Sequence, residues 1–204
     1  QKTAYEIPKR DWSSDVCSSD LMRLVLASAS PRRAELLTAA GFTFEVIATH
    51  VDERVRPGEV PREYVRRLAV EKAAAAWAAL TVRASPPEAV VIGADTAVIV
   101  DDQILGKPVD AVDASHMLVR LSGRCHRVLT GVSVQTAGAR EEAVEETLVW
   151  VRPLSEADIA WYVSSGEGLD KAGAYAIQGL ASRFITRIEG SYSDRKSTRL
   201  NSSH

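Results

Sequence analysis

Apolar positions along the chain follow two periods, and together they predict an ordered succession of strands and helices. Residues 24–27 form a short apolar run, the pattern of a buried strand. Ser30 then offers an N-cap, Pro31 suits a first helical position, and Leu36, Leu37 and Ala40 recur at helical spacing until Gly41 closes the helix. Residues 42–47 alternate as a strand would. Residues 61–80 carry one stripe of Tyr64, Val65, Leu68, Ala69, Ala76 and Leu80, which predicts a long helix. Residues 89–100 are almost unbroken apolar, the mark of a central strand. Asp101-Asp102 predicts a hairpin turn, with 103–105 returning. Residues 113–121 form a helix with Ala114, Met117, Leu118 and Leu121 inward, stopped at Ser122-Gly123. Strands follow over 128–136 and 143–151. Ser155-Glu156-Ala157-Asp158 opens a further helix with a capping-box pattern, running to about Ser164, and 183–188 is the last strand.

Composition narrows the class. The chain has 204 residues and 46% hydrophobic content, enough for one domain with a full core. A net charge of -2 disfavours a broad nucleic-acid-binding surface. No apolar run approaches the ~20 residues of a membrane span. Cys17 and Cys125 lack metal-ligand spacing, and so sparse a cysteine content predicts a reducing, cytoplasmic setting. Residues 1–21 and 194–204 show neither helical nor strand periodicity. They read as foreign, disordered segments flanking a domain of 22–193, with Met22 as the natural start.

The candidate chemistry lies in three places. The first is Ser28-Ala29-Ser30-Pro31-Arg32-Arg33, where a strand turns into a helix N-terminus. Hydroxyls, free backbone N–H groups and two guanidiniums there suit a phosphate, although a capped helix with solvated arginines accounts for the pattern equally well. The second is Gly93-Ala94-Asp95-Thr96 inside the central strand. A carboxylate in such apolar surroundings needs a cation or a metal, or else a structural arginine partner. The third is the charged, glycine-containing loop 167–179, where Gln178 has both donor and acceptor for a base edge. Around these lie Asp52-Glu53 leaving a strand end, where a cation ligand, a general base or a solvated loop are all open. Lys72 falls on the apolar stripe, where it must snorkel or meet an anion. Lys107 in Gly106-Lys107-Pro108 is a phosphate ligand or a solvated turn lysine. His126, with no nucleophile motif near it, reads as a structural or peripheral polar contact.

Taken in order, Ser28-Ala29-Ser30-Pro31-Arg32-Arg33, Gly93-Ala94-Asp95-Thr96, Gly106-Lys107-Pro108, Leu121-Ser122-Gly123 and Asp170-Lys171-Ala172-Gly173-Ala174-Tyr175-Ala176-Ile177-Gln178-Gly179 resemble the Maf family of nucleoside triphosphate pyrophosphatases over 22–193. Ala94, Thr96, Ala174-Tyr175 and Gln178 resemble its dTTP/UTP branch. The resemblance implies an α/β fold related to inosine triphosphate pyrophosphatases, an elongated mixed sheet flanked by helices, and a cleft between two lobes. It implies hydrolysis of a nucleoside triphosphate to monophosphate and pyrophosphate with a divalent cation, Mg²⁺ or Mn²⁺. Asp95 carries over as the catalytic proton acceptor, and Arg32, Thr96 and Gln178 as specificity positions. Ser28, Ser30, Arg33, Lys72, Lys107 and Lys171 then bind phosphate, and Asp95 and Glu53 hold metal. Nucleic acid and membrane are not implied as partners, whereas a homodimer is. The family pattern continues past Gly190-Ser191-Tyr192 into an apolar segment and a final helix, so the expectation here is a shortened, less stable domain. A non-catalytic nucleotide-binding regulator of septum formation is the alternative that the resemblance leaves standing.

Overall fold

A computed structural model of the chain describes residues 22–82 and 88–190; the readings made above for 1–21 and 194–204 lie outside the described residues. In chain order the elements are β1 (Arg23–Ala27), α1 (Pro31–Ala39), β2 (Glu45–Val46), α2 (Pro61–Thr81), β3 (Ala89–Val100), β4 (Gln103–Leu105), α3 (Ala111–Leu121), β5 (Cys125–Gln135), β6 (Arg140–Val151), α4 (Glu156–Ser164) and β7 (Ile185–Glu189). Short 3₁₀ turns at Ala172–Ala174 and Leu180–Phe184 lead into β7.

The strands form one mixed sheet in the order β2-β1-β3-β5-β6-β7, with β4 also on β3. Only the β1 pairings with β2 and β3 are parallel; the others are antiparallel. The α/β class and the elongated mixed sheet are as expected. The length of β3 is what makes a site. One of its edges pairs with β1 as far as Ala27 opposite Gly93, and then with β4 from Val98 onward. Residues 94–97 lie in the gap between those two strands, and Asp95 and Thr96 sit there.

Alternation along β3 divides the core. Val91, Ala97 and Ile99 pack on the face covered by α2, with Val25, Val65, Ala73 and Leu80. Val98 and Val100 pack on the opposite face with Leu118, Leu121, Tyr162 and Phe184. Two glycines let α2 approach the sheet closely. A Cβ on Gly93 would stand 2.2 Å from the Ala69 carbonyl oxygen, and one on Gly131 would stand 2.3 Å from that of Val65. The helix backbone therefore rests directly on β3 and β5.

Local chemistry explains most element ends. Asp101 and Asp102 both take positive φ, the conformation a two-residue hairpin needs. Ser155 and Asp158 form the expected capping box. The third helix begins two residues earlier than predicted, because the Asp110 carboxylate accepts from Asp113 N–H at 2.8 Å. The strand expected over 42–47 contracts to Glu45–Val46, for Phe42 is exposed and only β1 lies alongside. The last strand starts at Ile185, since the preceding five residues form a 3₁₀ turn. Among the described residues no helix is long and apolar enough to cross a membrane.

Candidate active site

A cleft of about 370 Å³ opens where β1 ends and β3 loses its edge partner. Six segments line it: the turn into α1, the segment before α2, α2 itself, β3, the end of β4 with the loop after it, and the loop 170–177. Five cationic side chains (Arg32, Arg33, Lys72, Lys107 and Lys171) and three carboxylates (Glu53, Asp95 and Asp170) line it. The cleft is thus cationic although the whole chain carries a net charge of -2.

At its base Lys72 bridges two carboxylates. Its Nζ donates to Asp95 Oδ1 at 2.7 Å and stands 2.7 Å from Glu53 Oε1. The apolar stripe of α2 carries Lys72 inward, and the buried lysine meets anions instead of snorkelling to water. Burial raises the Asp95 pKa above its ordinary value, against the pull of Lys72 and Arg33. Glu53 goes the other way. Burial raises it, but Lys72, Lys107 and Arg33 together outweigh that and hold it below its ordinary value. The two carboxylates share a cation yet differ in proton affinity.

The turn into α1 is built on hydroxyls. Ser28 Oγ accepts from Ser30 N–H at 3.2 Å and from Arg33 Nη1 at 3.0 Å. Arg33 Nη2 donates to Thr96 Oγ1 at 3.2 Å, and Thr96 in turn lies 3.1 Å from Thr130 Oγ1. Ser30 stands at the N-cap with extended backbone but makes no side-chain cap bond, so Ser28 orders this turn. Arg33 therefore ties β1, α1 and β3 together. Burial lowers its pKa, and neighbouring Arg32 adds to that while Asp95 and Glu53 oppose it.

All the sequence-predicted site residues but one meet in the cleft: Ser28, Ser30, Arg32, Arg33, Glu53, Lys72, Asp95, Thr96, Lys107 and Lys171. Gln178 does not line it, whereas its neighbour Ile177 does; the buried Gln178 Nε2 has no hydrogen-bond partner among the described residues. His126 proves structural and deeply buried rather than peripheral, with Nε2 2.5 Å from the Tyr175 hydroxyl. Sequence reasoning passes over Tyr64 and Thr49 as cleft residues, and Tyr175, named only within the branch pattern, also lines the cleft. Tyr64 looked like an ordinary stripe position, although a hydroxyl there was the available signal.

The sequence profile of the family described as Maf-like protein matches residues 23–194. The chain belongs to the Maf family. It is similar to the "dTTP/UTP pyrophosphatase" of Vibrio cholerae, with 51% identity over 172 residues, covering 84% of this chain and 89% of that protein. The protein of the same description from Shewanella oneidensis is 51% identical over 177 residues, covering 84% and 90%. That of Symbiobacterium thermophilum is 49% identical over 172 residues, covering 84% and 86%. In this Maf chain no cluster of three or more His, Cys, Asp or Glu side chains surrounds a single point among the described residues. The donor set nevertheless suits Mg²⁺ or Mn²⁺. Asp95 and Glu53 already converge on one cation, and Mg²⁺ at nucleotide sites takes one or two carboxylates plus phosphate oxygens.

Proposed function

We propose that this Maf chain hydrolyses dTTP and UTP to the monophosphate and pyrophosphate, and that residues 22–193 carry the activity. The observation that bears most weight is the buried Asp95–Lys72 pair, joined by the half-exposed Glu53 carboxylate, in a cationic cleft. A buried carboxylate of raised proton affinity suits a proton acceptor, which a site that merely holds a triphosphate does not need. The dTTP/UTP pyrophosphatase relatives at about half identity support the substrate class.

In this mechanism the serine turn, the α1 N-terminus, Arg32, Lys107 and Lys171 receive the triphosphate oxygens. Lys72, neutralising Asp95 and Glu53 in the free protein, gains phosphate as a further anionic partner. Asp95, near the cleft floor and high in proton affinity, accepts the proton of the water that attacks the α–β anhydride. That bond breaks and pyrophosphate leaves. Asp95 and Glu53 would hold a divalent cation, whose chemistry is to offset triphosphate charge and polarise the attacked phosphoryl group. Thr96, fixed by Arg33 and Thr130, faces the base together with Arg32. The cytosol is the proposed location and a homodimer the proposed assembly, which sedimentation checks.

The test is product analysis across a panel of canonical nucleoside triphosphates with Mg²⁺ or Mn²⁺. Monophosphate and pyrophosphate from dTTP and UTP, with little from the purine nucleotides, is the expected result. Release of orthophosphate instead, or no turnover by folded protein that binds the nucleotides, contradicts it.

A further inference from the structure

Glu53 sits on a segment without regular secondary structure, yet the backbone around it is held at three consecutive carbonyls. Arg67 Nη1 donates to the Asp52 carbonyl at 3.3 Å, the Tyr64 hydroxyl to that of Glu53 at 2.9 Å, and Arg67 Nη2 to that of Arg54 at 3.0 Å. Both side chains come from α2, one and two turns before Lys72. The remaining donors of Arg67 are also used. Its Nε and Nη2 reach the two oxygens of Glu59 at 2.6 and 2.9 Å, and Nη1 reaches Glu71 at 3.1 Å. All five guanidinium N–H groups therefore have acceptors. The Arg67 side chain is only 12% exposed, and that of Glu59 only 8%.

We propose that Arg67, assisted by Tyr64, is a positioning residue that fixes the Glu53 carboxylate at the reaction centre by gripping the backbone on both sides of it. This rests on the role given to Glu53 above. The same helix that carries Lys72 to Asp95 thus also carries the clamp for the second carboxylate, so the two carboxylates and the lysine share one rigid support. A lysine at position 67 keeps the charge but has three donors and no planar fork, so it cannot hold Glu59 and both carbonyls together.

The test is a double-mutant cycle on the full chain with Arg67→Lys and Glu53→Gln. Substituting a residue that orients a metal-binding carboxylate typically costs about 10–100-fold in metal affinity or activity. Arg67→Lys is expected to lower kcat on dTTP by that factor, with little change in KM. Mn²⁺ binding in the presence of a non-hydrolysable dTTP analogue, followed by electron paramagnetic resonance, is expected to weaken in parallel. In the Glu53→Gln background the same change is expected to cost less than about twofold, because residues acting as one unit are non-additive. Equal losses in both backgrounds reduce Arg67 to a merely structural residue and overturn the proposal. So does a Glu53→Gln protein with full activity and undiminished Mn²⁺ binding, and that result also removes the role assigned to Glu53. Should Arg67→Lys not fold, Tyr64→Phe, which deletes only the hydroxyl on the Glu53 carbonyl, is run through the same cycle. A loss that vanishes with Glu53→Gln supports the clamp, and a persistent loss, or none, refutes it.

Discussion

Asp95 and Lys72 would each be costly in this position without the other. Their 2.7 Å contact lets both stay largely buried. Burial still dominates at Asp95, and two consequences follow from its raised pKa. The first concerns rate. As the proton acceptor it must be ionised, so kcat/KM, which reports the free enzyme, should fall on the acid side at a pH above the ordinary 3.8 of an aspartate. Glu53, shifted downward, ionises earlier and does not shape that limb. A pH–rate profile flat down to pH ~4 would contradict this assignment. The second concerns stability. A folded-state pKa above the unfolded value favours folding below the unfolded pKa, and that contribution is lost as pH rises through the folded pKa. Asp95→Asn removes that pH dependence but also takes from Lys72 one of its two carboxylates, so its thermal midpoint at neutral pH should fall; an unchanged midpoint would show that Glu53 alone satisfies the lysine.

The elements matter through how closely they approach one another. Helix α2 lies on the sheet with its backbone against Gly93 and Gly131, and Lys72, Arg67 and Tyr64 all depend on that seat. Gly93→Ala forces a Cβ to within 2.2 Å of a backbone oxygen, which the helix can relieve only by lifting. The expected cost is at least the ~1–3 kcal/mol of an overpacked core, with activity falling as Lys72 and Asp95 separate. Urea unfolding measures the first and dTTP turnover the second; a substitution neutral in both would mean the helix has slack. Much of this was legible beforehand. The stripe of α2 and the unbroken run of β3 were both read with nearly correct limits, because their patterns are long and unambiguous. Lys72 was recognisable as a misfit on its stripe, but its partners were not, since Glu53 and Asp95 reach it from elements 19 and 23 residues away. The gap in the β3 edge left no trace in the local pattern, for it follows from where β1 stops and β4 begins. The motif alone singles out Gln178, and the fold leaves it out of the cleft lining. Arg67 looked like any polar residue on an amphipathic helix.

Across the whole molecule, charge is divided unevenly. The surface leaves the chain slightly acidic while the cleft gathers five cationic side chains. Electrostatic capture of a triphosphate should therefore weaken as ionic strength rises, with KM for dTTP increasing between about 0.05 and 0.5 M salt as screening shortens. Acid should act on the fold through Glu59, which Arg67 holds at about 2 against an ordinary 4.5. A depressed folded-state pKa contributes stability above the unfolded value and loses it as pH falls through the folded one. The thermal midpoint should accordingly decline from about pH 4.5 towards pH 2, less so in Glu59→Gln. The central claim, however, is that the cluster beneath the cleft performs hydrolysis. The measurement that tests it most directly is pyrophosphate release from dTTP and UTP with Mg²⁺ by this chain beside Asp95→Asn, with nucleotide binding followed in both. Loss of a general base costs about 10²–10⁴-fold, so turnover in the parent that falls by that factor in the variant, with binding retained, is the predicted result. Equal turnover in the two proteins would contradict the account.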